Sequence, residues 1–444
     1  MIPRQAAQDM IEHAEAAESS VQALANEPTE KAENAEPTDP MLPMEPIEPI
    51  ERIDPFEPML STESSERIQS MVGLPSSPGS APKAGRYSRT VSRARIALTV
   101  VTVAVLVAAL FGGVVAWRGW FSEPSVPSAP DAQPASVTDV VTGLRAPWGL
   151  AFRPDGSALV TERDTKRILS VQGNSARELT VVDEARPAGE GGLLGIAVAP
   201  AGDWVYVYYT AADDNRIARF RPDQPDARSI VFTGIPKAGN HNGGRIAFGP
   251  DGMLYVGTGD AGQRDAAQDR ASLGGKILRL TPEGAPAPGN PFGATPVFSY
   301  GHRNVQGLAW DASGAMFASE FGQNTYDELN RIEPGRNYGW PEAEGSSSDP
   351  AFTNPIATWS TADASPSGIA VGHDGRVWMA CLRGERLYAI GTDGSGAQAL
   401  LRGEHGRLRH VATAPDGSMW VLTSNHDGRG DPAPGDDRIL RLTT

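Results

Sequence analysis

The feature that most constrains the fold of this chain is a repeated unit of two apolar strands joined by a turn at or near Pro-Asp-Gly. Aspartate and glycine favour such a turn because glycine tolerates a positive φ and aspartate hydrogen-bonds its own backbone. The six copies are aligned on Ala151, Ala197, Ala247, Ala309, Ala370 and Ala412. Their spacings are 46, 50, 62, 61 and 42 residues, and repeats of about 40 to 50 residues with several strands each are typical of propeller blades. We therefore predict an all-β, six-bladed β-propeller over residues 137–444, with inserted loops in the two longest intervals.

The acidity of the chain is concentrated ahead of this repeat. Residues 1–80 contain sixteen Asp and Glu against four Lys and Arg, which is most of the net charge of −15. This stretch is also poor in aromatic residues and rich in Glu, Pro, Ser and Ala, a composition that cannot bury enough apolar surface to fold. We predict that residues 1–94 form a disordered, acidic and Pro-rich cytoplasmic tail ending in a basic juxtamembrane segment. An acidic chain of this kind gives no electrostatic support for nucleic-acid binding.

A membrane anchor is predicted next, at residues 95–118. Ile96–Trp117 is an uncharged run of 22 residues, and a helix of about 20 apolar residues crosses a bilayer. Five basic residues precede the run within residues 83–95, whereas Arg118 alone follows it directly. The positive-inside rule then predicts a single-pass cell-membrane protein with a cytoplasmic N-terminus. Residues 119–136 are predicted to be a Pro/Ser/Ala stalk that carries the propeller outside the cytoplasm.

Chemically useful residues occur in the loops that lead into or leave the repeated strands. Such loops meet at one mouth of a propeller, where ligands usually bind. His241 is followed by a carboxylate candidate, Asp260, and several later loops carry arginines. Because guanidinium groups bind carboxylates and phosphates in pairs of hydrogen bonds, these arginines predict a ligand with several such groups. The oxygen-rich stretch from Glu320 to Asp327 suits a hard cation such as Ca²⁺, while the single cysteine, Cys381, excludes a Cys-rich zinc site.

The order and spacing of several motifs extend this interpretation. They are APWGLAF, GEGGLLGIA, GNHNGGRIAFGPDG, GTGDAG, LGGKILRL, YGHRNVQGLAW, NYGWP, RLRH and the closing DGRG…GDDRILRL. In these motifs the chain resembles the soluble dehydrogenases of glucose and sorbosone that depend on pyrroloquinoline quinone (PQQ), including the bacterial aldose sugar dehydrogenases. The resemblance covers Val140 to Leu442, and the tail, the anchor and the stalk fall outside it.

The resemblance implies a role for each matching residue. His241 corresponds to the general base, Asp260 to its paired carboxylate, and Arg303 to a catalytic cation over the quinone. The residues implied to bind the cofactor or lie beside it are Glu190, Asn304, Arg383, Arg407 and Arg409. Gly322 and Gln323 correspond to the carbonyl ligands of the activating Ca²⁺. A further structural Ca²⁺ is implied at Asp327, Glu328 and Tyr338.

The implied activity is oxidation of the anomeric hydroxyl of an aldose sugar to a lactone, with PQQ and Ca²⁺ as cofactors and an unidentified electron acceptor. Two alternatives remain open at the level of sequence: a non-catalytic cell-surface binding module and a Ca²⁺-dependent lactonase-type hydrolase. A binding module would tolerate loss of His241, Asp260 or Arg303. A hydrolase would have no need of Arg383, Arg407 and Arg409 together.

Overall fold

The computed structural model describes residues 131–443, which contain 24 β-strands and a short 3-10 helix at Arg264–Ala267. The predicted tail, the predicted membrane segment and most of the predicted stalk lie outside these residues. Between residues 131 and 443, no helix has the length and the apolar character needed to cross a membrane.

The strands form six antiparallel sheets of four strands each, so the predicted all-β, six-bladed propeller is confirmed. Blade one consists of β2 (Pro147–Phe152), β3 (Ala158–Glu162), β4 (Arg167–Gln172) and β5 (Ser175–Val181). Blade two consists of β6 (Leu193–Val198), β7 (Val205–Thr210), β8 (Asn215–Arg221) and β9 (Gln224–Ile235). Blade three consists of β10 (Ile246–Phe248), β11 (Leu254–Gly257), β12 (Lys276–Leu280) and β13 (Val297–Tyr300).

The remaining three blades have the same order. Blade four consists of β14 (Val305–Trp310), β15 (Met316–Glu320), β16 (Tyr326–Ile332) and β17 (Ala357–Ser360). Blade five consists of β18 (Pro366–Val371), β19 (Val377–Cys381), β20 (Arg386–Ile390) and β21 (Gln398–Leu400). Blade six consists of β22 (Leu408–Thr413), β23 (Met419–Thr423), β24 (Ile439–Thr443) and the first strand of the chain, β1 (Ser136–Val141).

Each predicted repeat forms the first two strands of one blade. The equivalent alanines lie on the first strands, which face a cavity on the propeller axis. A small side chain at this position lets six strands approach a common axis. The two longest intervals contain inserted loops, as predicted: residues 258–275 and 281–296 in blade three, and residues 333–356 in blade four.

The ring is closed by a pairing between the two ends of the described chain. β1 runs antiparallel to β24, with Ser136 opposite Thr443 and Val137 opposite Leu442. Just before β1, the amide of Ala132 donates to the carbonyl of Ala399, 2.7 Å away. The end of the predicted stalk therefore lies along blade five before the chain enters blade six.

The core is divided among the interfaces between blades. Six clusters of buried apolar side chains each join neighbouring blades. Tyr206 and Tyr208 of blade two, for example, pack against Leu254 and Val256 of blade three. This continuous packing fixes the relative positions of the loops at the mouths of the propeller.

Candidate active site

A cavity of about 570 Å³ opens at one end of the blades, among the loops that lead into first strands and those that follow second strands. Blades one, two, four, five and six all contribute to its lining. Four of the residues singled out from the sequence line it, namely Glu190, Arg383, Arg407 and Arg409. Loops from separate blades are thus brought together at one mouth, as the repeat predicted.

His241 and Asp260 form a close pair at the edge of this mouth. His241 precedes β10 and Asp260 follows β11, so the two residues flank the same end of one hairpin. The Nδ1 atom of His241 lies 2.7 Å from Oδ1 of Asp260. The His241 side chain is 14% exposed and the Asp260 side chain is fully buried. The carboxylate therefore binds one imidazole nitrogen, and the other has no hydrogen-bond partner among residues 131–443.

Asp260 is held by donors on both carboxylate oxygens. Oδ1 also accepts from the amide of Gly262 at 2.8 Å, and Oδ2 accepts from Nε1 of Trp340 at 2.8 Å. Burial raises the pKa of Asp260, but the bonds from His241, Gly262 and Trp340 outweigh it and lower the pKa below its usual value. The group is consequently an anion at neutral pH, and it favours the proton of His241 on Nδ1.

The backbone around His241 is fixed as firmly as its side chain. His241 has a φ of +52°, in the left-handed region, and its amide donates to Oε2 of Glu190 at 3.0 Å. Its carbonyl accepts from the amide of Ala261 at 3.1 Å. Gly259 passes so close that a Cβ there would overlap the carbonyl oxygen of His241. This contact explains why residue 259, the second of the three glycines in GTGDAG, has no side chain.

The predicted arginines of blade six share one carboxylate. Arg407 Nε and Arg409 Nη2 donate to Oδ2 of Asp427 at 3.0 and 3.3 Å. The backbone carbonyl of Asp427 accepts from Arg163 at 3.2 Å. Burial lowers the pKa of Arg409 to about 10, which still leaves it protonated at neutral pH. Arg383 is exposed at the rim and makes no ion pair within residues 131–443. The cavity therefore has a surplus of positive charge.

Arg303 and Asn304 lie between the histidine pair and blade four. Arg303 Nη1 donates to the carbonyls of Gly322 and Phe321 at 2.6 and 3.2 Å, and its guanidinium carbon lies 5.4 Å from the Trp340 ring centre. Asn304 Oδ1 accepts from the amide of Gly243. Arg303 Nε and Asn304 Nδ2 are buried donors without partners in the described part of the chain.

The loop with the predicted Ca²⁺ ligands Gly322 and Gln323 is arranged by two carboxylates. Oε1 of Glu344 accepts from four successive amides, those of residues 323–326, at 2.6 to 3.3 Å. Oδ1 of Asp327 accepts from the amide of Gly322 at 2.9 Å. The amides of the loop therefore donate to carboxylates, and the Gly322 carbonyl accepts from Arg303.

The structure does not bring Asp327, Glu328 and Tyr338 to a common point. Asp327 and Glu328 are neighbours on one strand and face opposite sides of it. Burial raises the pKa of Asp327 to about 7. The hydroxyl of Tyr338 donates to the carbonyl of Arg331 at 2.8 Å and accepts from the amide of Glu333. Among residues 131–443, no group of three or more acidic, histidine or cysteine side chains is arranged to hold a metal ion.

Sequence reasoning missed or misplaced several residues. Trp340, in the NYGWP motif, binds Asp260 through its indole nitrogen, a contact that the motif alone does not indicate. Asp427 lies in the recognised DGRG motif and is the shared partner of the arginines. Arg245, four residues after His241 in GNHNGGR, does not line the cavity. His302, just before Arg303 in YGHRNVQG, is fully buried between Ser299 and Glu320. No local signal distinguishes a channel-facing residue of this kind from one that packs behind it.

The fold and this site define the chain as a six-bladed propeller with a cationic ligand cavity beside a histidine–aspartate pair. A sequence model of the Glucose / Sorbosone dehydrogenase family matches residues 144–440, and the chain belongs to this family. The PQQ-bound aldose sugar dehydrogenase of Streptomyces coelicolor is 56% identical, with a TM-score of 0.66 over 70% of this chain and 99% of that one. The aldose sugar dehydrogenase of Escherichia coli is 32% identical over 67% of this chain and 92% of its own length. Quinoprotein glucose dehydrogenase B of Acinetobacter calcoaceticus is 29% identical over 52% and 58%.

Proposed function

We propose that this chain is a PQQ- and Ca²⁺-dependent dehydrogenase that oxidises the anomeric hydroxyl of an aldose sugar to a lactone. The observation that carries the proposal is the buried Asp260 bound to Nδ1 of His241 beside a cavity with surplus positive charge. Membership of the dehydrogenase family and the similarity to a PQQ-bound relative support it. The alternatives of a binding module and a lactonase-type hydrolase are tested by the same experiments.

The cavity suits a ligand that has several carboxylates, such as PQQ. Arg383, Arg407 and Arg409 line it, and only one carboxylate, that of Asp427, pairs with the last two. Arg409 Nε is buried without a partner in the described chain, as are the donors of Arg303 and Asn304. Unpaired buried donors are costly, and acceptor oxygens of the cofactor would relieve that cost. When bound, PQQ would supply the acceptor for the hydride.

The proton of the sugar hydroxyl is assigned to His241. Because Asp260 binds Nδ1, Nε2 is the nitrogen left to accept a proton. The carboxylate then stabilises the imidazolium that forms, which raises the basicity of the ring. Asp260 does not reach the sugar itself in this scheme, since its oxygens are occupied by His241, Gly262 and Trp340.

The proposed Ca²⁺ site consists of backbone carbonyls at Gly322 and Gln323. Carbonyl oxygens are hard ligands that Ca²⁺ accepts. The bonds from the loop amides to Glu344 and Asp327 would hold the loop while the cation binds. Arg303 occupies the Gly322 carbonyl in this structure, so Ca²⁺ binding there would have to compete with it. The further Ca²⁺ at Asp327, Glu328 and Tyr338 stays a prediction of the resemblance.

The proposal includes membrane tethering with the propeller outside the cytoplasm. Its support is the uncharged run Ile96–Trp117 and the basic residues before it. After a carbonate wash, we expect the full chain to stay with the membrane fraction. In a separate sample of intact cells, protease added to the outer face should remove the propeller. Release by carbonate, or full protection of the propeller, would contradict the tether or its orientation.

The enzymatic part is tested with the purified full chain. Calorimetry with PQQ in the presence of Ca²⁺ should show uptake, and dye reduction should follow with a panel of aldoses. His241→Gln should retain PQQ and lose turnover. Absence of PQQ uptake would refute the cofactor, and uptake without turnover of any aldose would refute the substrate class. Lactone hydrolysis without dye reduction would favour the hydrolase.

A further inference from the structure

Arg245 lies directly behind the wall of the cavity. Its side chain is almost fully buried, and its guanidinium carbon lies 4.1 Å from the ring centre of Trp148. Trp148 lines the cavity, whereas Arg245 does not. Arg245 Nε donates to the backbone carbonyl of Gln306 at 2.7 Å, and the side chain of Gln306 accepts from Arg409. The indole thus separates the Arg245 cation from any ligand in the cavity.

The charge of Arg245 is uncompensated. Within residues 131–443 no carboxylate forms an ion pair with it, and its Nη2 atom is buried without a hydrogen-bond partner. Burial and the like charge of Arg409 lower its pKa well below the usual value. An arginine nevertheless remains protonated at neutral pH because its intrinsic pKa is so high. A buried, unpaired cation costs stability. In the described chain, only the stack on Trp148 and one hydrogen bond offset this cost.

We propose that Arg245 is an electrostatic positioning residue, whose charge acts through Trp148 to strengthen binding of a multiply carboxylated ligand and to favour the more negative redox form of that ligand. The inference rests on the proposed function, in which the ligand is PQQ. Arg245 is thus added to the residues proposed to act on the ligand, although it does not line the ligand cavity at the mouth.

Two physical points set the size and the signature of the effect. Protein, rather than water, lies between the charge and the ligand, so the attraction is stronger than it would be across solvent. For the same reason, salt should screen it much less than it screens an exposed charge such as Arg383. We expect about a tenfold change in affinity. The reduced form is the more negative one when fewer than two protons accompany its two electrons. A tenfold preference for that form then corresponds to about 30 mV in reduction potential.

The experiment compares Arg245→Met and Arg245→Lys with the wild-type full chain. Titration calorimetry with PQQ and Ca²⁺ measures affinity at low and high salt, and spectroelectrochemistry measures the potential of the bound quinone. We expect Arg245→Met to bind PQQ about tenfold more weakly at both salt concentrations and to lower the potential by about 30 mV. Arg245→Lys should recover most of both losses because it keeps the charge.

A matched control is available in blade two. Arg219 stacks on Trp204 at 4.5 Å and donates to the carbonyl of Pro282, but it lies away from the cavity. Arg219→Met should leave PQQ affinity and potential unchanged. Equal losses in Arg245→Met and Arg245→Lys would show that shape matters rather than charge, and would overturn the inference. Unchanged affinity and potential in Arg245→Met would also overturn it, whereas failure of the wild type to bind PQQ would instead refute the proposed function.

Discussion

Replacement of Asp260 by asparagine tests the histidine–aspartate pair most directly. The three groups that bind this carboxylate, His241 Nδ1, the Gly262 amide and Trp340 Nε1, all act as donors in the arrangement proposed. Asparagine has one acceptor and one donor in place of two acceptors. One of its two orientations must therefore be chosen, and each breaks a different part of the site.

In the first orientation the amide oxygen faces His241 and Gly262, and the amide nitrogen meets the Trp340 N–H. The buried indole nitrogen then loses its partner, at a cost of about 1–3 kcal/mol. In the second orientation the amide nitrogen faces His241, which must accept through Nδ1 and carry its proton on Nε2. That tautomer cannot take a proton from the sugar. A neutral amide also stabilises the imidazolium less than a carboxylate does.

Either orientation reduces general-base catalysis, which is worth about 10²–10⁴-fold. We expect Asp260→Asn to lower kcat within this range and to leave KM and PQQ affinity nearly unchanged, in steady-state dye reduction and calorimetry. Asp251→Asn is the control, because Asp251 also accepts from three residues, in the turn at the opposite end of the same hairpin. It should lose stability and keep kcat. A wild-type kcat in Asp260→Asn would refute the catalytic role of the pair.

The same variant has a signature in the pH dependence of stability. The folded protein lowers the pKa of Asp260, so the carboxylate contributes stability above its unfolded pKa of about 3.9. That contribution is lost as the pH falls through the lower, folded value. The difference in unfolding free energy between wild type and Asp260→Asn should therefore be largest near neutral pH and shrink in acid. A constant difference in urea denaturation across this range would contradict the assigned shift.

Three further substitutions test the surroundings of the site. Trp340→Phe removes the bond to Asp260 Oδ2 and should lower kcat about tenfold in steady-state assays, less than Asp260→Asn. Glu344→Gln removes the charge that holds four loop amides and should weaken Ca²⁺ binding about tenfold in calorimetry. Lys276→Met leaves three carbonyl oxygens, now bound by the buried ammonium, without a donor, and should destabilise folding by about 3 kcal/mol or more in urea. Unchanged values would contradict each assignment.

The inner half of each blade could be predicted from the sequence, whereas the outer half could not. The Pro-Asp-Gly turns join the first two strands, which are buried and therefore repeat their apolar pattern. Outer strands such as β5 and β9 are half exposed and carry no common motif. The pairing of β1 with β24 joins residues at opposite ends of the propeller sequence. No local pattern encodes that register.

The site shows the same division. His241 and Asp260 flank one hairpin, so their meeting follows from strand pairing within a single blade. Trp340 reaches Asp260 from an inserted loop 80 residues further along the chain. Its position depends on how that loop folds over blade three, which the NYGWP motif alone does not state. Arg245 is close to His241 in the sequence but is buried behind Trp148. How deeply it is buried depends on packing around that indole, which the sequence does not indicate.

The two buried arginines of blade six differ from arginines of the outer turns in how many carboxylates they have. In outer turns, Arg279 pairs with Asp251 and Arg441 with Asp416, so each cation has its own anion. At the cavity, Arg407 and Arg409 share a single carboxylate. Stability alone would favour a partner for each buried charge, because an unpaired one carries its desolvation cost without return. The deficit of anions at this mouth is therefore best explained by a ligand that brings them.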